Sequence, residues 1–143
     1  MFVVSSWLNE VPQLPPGAFV FGALFAMHSH LLGQLMDYDP DRKAGRRTTV
    51  VFIGVIPSKW LLAGILIAEA WIAQASFAQP AVTAFLAFGS GGFALHAIVR
   101  KNRLFTLFEM RALFFGWNAA ALGSLWWIWS QGVFVAGPPS SAL

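Results

Sequence analysis

The stretch Asp37-Tyr38-Asp39-Pro40-Asp41-Arg42-Lys43-Ala44-Gly45-Arg46-Arg47-Thr48-Thr49 separates two long apolar runs, and its reading decides the fold. Three of the chain's six acidic residues fall within its first five positions. Arg42, Lys43, Arg46 and Arg47, four of the nine basic residues, follow at once. A chain that is 57% hydrophobic has few polar side chains, and it gathers them here. That pattern suits a membrane boundary at which a metal and a phosphorylated ligand are held.

Working outward, the composition is that of a membrane protein. Charged residues make up 10% of the chain, against about 25% in typical soluble domains, and the mean hydropathy is +0.65. Met1-Phe2-Val3-Val4 lacks the basic start of a secretory signal. The absence of cysteine excludes disulfides, a thiol nucleophile and Cys-based metal sites. There is no P-loop, nucleophile elbow, metalloprotease signature or internal repeat, and no nucleic-acid partner is expected.

A membrane helix needs about 20 apolar residues. Four stretches meet that demand: Gly17 to Met36, Trp60 to Ala78, Pro80 to Val99 and Ala112 to Gln131. The fold class is therefore all-α, a polytopic bundle over 17–131, with the Asp-rich loop 37–49 at one end. The apolar Val50–Ile56 stretch before Pro57 reads as a lead-in turn or a helix start, and Pro80 suits a first helical position. Residues 1–16 read as the remnant of a preceding helix or an interfacial segment, and 132–143 as a disordered tail.

All nine basic residues lie between spans one and two or between spans three and four. The positive-inside rule then makes the Asp-rich loop cytoplasmic in an inner or plasma membrane, with both termini outside. Trp126, Trp127 and Trp129 fall at the opposite interface, where an aromatic belt belongs.

At about 100° per residue, His30, Gln34, Asp37 and Asp41 occupy roughly 60° of one helix face, with His28 and Asp39 pointing away. Pro40 cannot bond back to Met36, so the helix bends or restarts there, and Asp39 then suits an N-cap with Pro40 at N1. Carboxylates at i and i+4 suit Mg²⁺, which uses one or two of them plus phosphate oxygens. Arg42, Lys43, Arg46 and Arg47 suit a diphosphate, and Gly45 allows a tight turn beside it. Read from composition alone, the segment is equally a solvated loop whose acids and bases pair.

The run Asp37-x-x-x-Asp41-x-x-x-Gly45-x-x-x-Thr49, with Gly54 beyond it, resembles the second aspartate-rich motif of the UbiA-type intramembrane prenyltransferases. The resemblance implies that the four spans correspond to the last four of a nine-helix fold. It implies Mg²⁺-dependent transfer of a polyprenyl group from a prenyl diphosphate to a lipophilic acceptor in the bilayer, often an aromatic ring or quinone precursor. Asp37 and Asp41 would hold the metal and the diphosphate. The family's first aspartate-rich motif has no counterpart, because the other acids, Glu10, Glu69 and Glu109, form no pair. The chain therefore reads as a C-terminal half that needs an N-terminal half or a second copy. The alternative is a non-catalytic membrane subunit or transporter fragment whose acidic loop binds a divalent ion or lipid headgroups.

Other polar positions have plainer readings beside functional ones. Glu69, in the second span, costs at least about 2.5 kcal/mol; it reads as a proton relay or ligand contact or, as the favoured reading, as a side chain that is protonated or hydrogen-bonded to a neighbouring helix. His30, Gln34 and Asn118 are cavity-lining candidates, although Asn118 also suits interhelical bonding and His28 suits packing. Gly89-Ser90-Gly91-Gly92 suits close helix approach. His96, Arg100, Lys101 and Arg103 either close over a diphosphate or set topology. Phe114, Phe115 and Trp117 either line a prenyl channel or face lipid.

Overall fold

The computed structural model describes residues 16–130, and every regular element among them is helical. The N-terminal segment to position 15, the tail from 131, and the side chains of Trp127 and Trp129 lie outside what is described. The chain divides after Leu104 into two compact units.

The first unit contains five helices: α1 (Pro16–Met36), α2 (Tyr38–Lys43), α3 (Thr49–Ile53), α4 (Val55–Phe77) and α5 (Pro80–Arg100). The second is built on α6 (Leu107–Ser130). Among the described residues α1, α4 and α5 are long and apolar enough to cross a membrane. The expected fourth span falls on α6, a 24-residue helix that carries Glu109 and Arg111 in its opening turns.

Helix α4 is the centre of its unit. Half of its apolar window is buried, against 17% for α1 and 22% for α5. Both neighbours run antiparallel to it. On one side Gly17 faces Ser76, Phe21 meets Phe77 edge-on at 6.1 Å, and His28 meets Glu69. A Cβ at Gly17 would lie 2.4 Å from Ser76 Oγ, so only glycine permits this approach. On the other side Ser90 Oγ donates to Ala63 O at 2.8 Å. In lipid, helices gain little from hiding apolar surface and associate through close packing and interhelical hydrogen bonds. The buried positions of α4 fit that rule, with Ala63, Ala70, Ala73 and Ser58 beside Leu62 and Leu66.

Within Gly89–Gly92 the close contact is carried by Ser90, since a Cβ added at Gly91 or Gly92 would meet nothing within 4 Å. Pro80 does open α5. Pro57, by contrast, does not end the lead-in. It sits in the first turn of α4, where its missing N–H costs nothing, and the break comes at Gly54. Gly54 has φ 90° and ψ 167°, a backbone region almost reserved for glycine.

Candidate functional site

The Asp-rich segment continues the helical ladder of α1 in a bent form. Asp37 N donates to Gly33 O at 3.0 Å and Asp41 N to Asp37 O at 2.8 Å, while Pro40 between them has no donor. The helix restarts at Tyr38 with Asp37 as its N-cap residue, which makes no side-chain cap. This corrects the expected capping role of Asp39. Asp39 lies in the first turn, and the restart comes two residues before Pro40.

The Asp41-to-Asp37 hydrogen bond places the two carboxylates one helical turn apart, so they can share one cation. Their surroundings differ. Asp37 is exposed, whereas the side chain of Asp41 is only 6% exposed and accepts from Arg46 Nη1 at 3.0 Å. The backbone reinforces that pair, because Arg46 N donates to Asp41 O at 2.9 Å. The return between them depends on Gly45, whose φ of 68° is left-handed. Arg42, Lys43 and Arg47 are exposed. Among the described residues, no group of three His, Asp or Glu gathers in a metal-binding arrangement. The donor set fits a magnesium ion that takes two carboxylates and completes its shell with water and phosphate oxygens.

The polar stripe is divided by the structure. Gln34 Oε1 accepts from Val50 N at 3.3 Å and satisfies one open donor at the start of α3, next to the Thr48 cap on Val51 N. His30 is exposed, and the face of α1 turned toward α4 carries His28, Leu31 and Leu35 instead. His28 Nδ1 and Glu69 Oε1 lie 2.5 Å apart in full burial, which gives Glu69 the interhelical partner expected of it. The reason is the register: His28 and Glu69 meet where α1 and α4 cross, and Phe25 packs edge-on against the imidazole at 4.9 Å. Asn118 Nδ2 donates back to Phe114 O of its own helix at 2.7 Å. Phe114 and Phe115 are exposed and touch each other edge-on.

Beside the aspartates an open pocket of about 630 Å³ is lined by Tyr38, Asp39, Arg42, Gly54, Asn102 and Arg103. Asp39, which the helical wheel turned away from the site, is its acidic group. Its outer wall, the segment after α5, is held by Lys59. That side chain is fully buried, and its Nζ donates to Lys101 O at 2.7 Å and Arg103 O at 2.6 Å. In the sequence Lys59 is one of the nine basic residues that set the topology. A lysine inside an apolar helix start was the available signal, because such a side chain must find acceptors or reach water.

In comparisons with protein-family models, curated proteins and solved structures, none matches this chain.

Proposed function

We propose that this chain supplies the aspartate-bearing wall of a Mg²⁺-dependent prenyltransferase, which moves a prenyl group from its diphosphate to a lipophilic acceptor in the membrane. The observation that carries the reading is the pair Asp37 and Asp41. They stand one helical turn apart at the end of an apolar helix, with four basic residues directly after them. Magnesium would be held by Asp37 and Asp41 and would offset charge on the diphosphate oxygens. Arg42, Lys43, Arg46 and Arg47 then stabilise the negative charge that grows as the allylic carbon–oxygen bond breaks and its electron pair leaves with the diphosphate. Arg46 has to release Asp41 for both to act, and its 71% exposed side chain is free to swing.

One carboxylate pair is a small complement for a ligand of about three negative charges with its metals. On this reading the site is completed by a second aspartate-bearing unit, an N-terminal half or a second copy. The four-span, nine-helix arrangement and the cytoplasmic placement of the 37–49 loop belong to the same proposal.

The second reading, a non-catalytic membrane subunit, is favoured by the Asp41–Arg46 ion pair, which satisfies the acid within the loop. One assay separates the two. The purified chain is supplied with Mg²⁺, geranylgeranyl diphosphate and a panel of quinol precursors, alone and together with a membrane protein carrying an Asn-Asp-x-x-Asp motif. Prenylated product in the combined sample, lost on chelation, supports the transferase. Absence of product from both, whether or not Mn²⁺ binds at Asp37 and Asp41, supports the subunit.

A further inference from the structure

We propose that the pocket lined by Tyr38, Asp39, Arg42, Gly54, Asn102 and Arg103 is a phosphate-binding site that works without a metal, and that Lys59 is its positioning residue. The inference shares Arg42 with the diphosphate contacts proposed above but does not need the metal pair, because neither Asp37 nor Asp41 lines the pocket.

The lining defines the ligand chemistry. Two arginines, Arg42 and Arg103, and one acid, Asp39, are among the lining residues, which leaves the pocket net positive. Arginine grips phosphate oxygens in pairs, and the Tyr38 hydroxyl and Asn102 amide add neutral donors. Gly54 presents no side chain on its part of the wall, so a ligand can approach the backbone there. Asp39 repels a bare dianion and accepts a hydroxyl, which favours a phosphate carried on a hydroxylated headgroup. The location, against helices that cross a membrane, gives two sources for that chemistry: the headgroup of an anionic lipid, or a free diphosphate.

The segment carrying Asn102 and Arg103 is held from beneath. The two carbonyls that Lys59 binds, those of Lys101 and Arg103, bracket Asn102. Lys101 has φ 41°, a left-handed conformation that a non-glycine residue keeps only where its surroundings impose it. The buried ammonium imposes it here. Without those two bonds the segment relaxes, and Asn102 and Arg103 lose their fixed place in the lining.

The test uses the full chain in phosphatidylcholine nanodiscs with EDTA present. One arm titrates inorganic diphosphate, and the other measures retention of phosphatidylglycerol through purification. Saturable binding in either arm is expected and identifies the source. Arg103→Gln and Arg42→Gln should each weaken it by at least about tenfold, the scale for losing a charge-assisted contact. Asp39→Asn should strengthen metal-free diphosphate binding several-fold. Arg111→Gln removes the same charge outside the pocket and should change nothing. Lys59→Met should weaken binding as Arg103→Gln does, and the double variant should be no weaker than either, since both remove one contact. No binding in either arm overturns the proposal, as does equal loss in Arg103→Gln and Arg111→Gln. Additive losses in the double variant overturn the positioning role. Failure of the prenyltransferase reading would appear instead as no prenylated product in the combined sample, whatever this pocket binds.

Discussion

His28 on α1 and Glu69 on α4, 41 positions apart in sequence, are joined by a 2.5 Å hydrogen bond that neither solvent nor lipid reaches. Removing one partner of such a pair leaves the other stranded, at a cost of about 3–5 kcal/mol, whereas replacing both by apolar groups of similar size is close to neutral. Glu69→Leu or His28→Leu alone should therefore lower the thermal midpoint in detergent sharply. The double variant should recover most of the loss. Simple addition of the two losses would show that the pair does not hold α1 against α4.

The glycines divide by conformation. Gly54, at φ 90° and ψ 167°, lies where a side chain costs about 1–3 kcal/mol, and Gly45, at φ 68°, lies where it costs about 1–2 kcal/mol. Gly64 sits within α4, and a Cβ there would meet nothing within 4 Å. Unfolding followed by circular dichroism should rank Gly54→Ala as the most damaging and Gly45→Ala as intermediate. Gly64→Ala should be neutral or stabilising, because alanine is the better helix former.

These outcomes follow from different depths of information. The helices are legible because length and hydropathy set them, so α1 and α5 begin and end within a residue of the apolar runs. The start of α6 at Leu107, five residues before the apolar run that begins at Ala112, was missed, although a local signal marks it. Thr106 and Glu109 form a reciprocal cap, with Thr106 N donating to Glu109 Oε2 at 2.7 Å and Glu109 N to Thr106 Oγ1 at 3.3 Å. That Thr-x-x-Glu signature places the helix start ahead of the apolar run. What could not be read is which polar residues meet. His28 and His30 are two positions apart on one helix, and only the crossing of α1 with α4 decides which is buried. The pocket likewise joins residues 38–42 to residues 102–103, a pairing that depends on α5 returning to the same end of the unit.

Orientation has its own test. Lys43 is exposed, and the chain has no native cysteine to interfere. Lys43→Cys in intact cells should resist an impermeant thiol reagent and react once the membrane is opened, as the one-sided basic residues require. Labelling in intact cells would invert the topology.

Arg46 has two opposed effects, and one substitution should reveal both. Its bond to Asp41 competes with a cation, and a pair with one exposed partner contributes at most about 1 kcal/mol. Arg46→Met should raise Mn²⁺ affinity without diphosphate, by no more than about fivefold. With diphosphate present the same variant should lose ligand affinity, because a phosphate contact has gone. Paramagnetic resonance of bound Mn²⁺, with and without diphosphate, reads both signs. A shift of the same sign in both conditions would remove Arg46 from the diphosphate contacts.

The three aspartates should separate by position. Asp37 and Asp41 share a helical turn, while Asp39 lines the neighbouring pocket. On the proposed prenyltransferase reading, Asp37→Ala and Asp41→Ala should each reduce Mg²⁺-dependent turnover by at least about 100-fold, since loss of a metal carboxylate would remove positioning and charge balance together. Asp39→Ala should cost far less and leave the Mg²⁺ concentration for half-maximal activity unchanged. Burial gives a second distinction. Asp41 is enclosed and Arg46 is its partner, so Asp41→Ala should also lower stability, whereas exposed Asp37→Ala should lower turnover with no change in thermal midpoint. Turnover and unfolding measured on the same three preparations decide the matter. Equal losses at all three positions would mean that the acids act as an undivided charge patch.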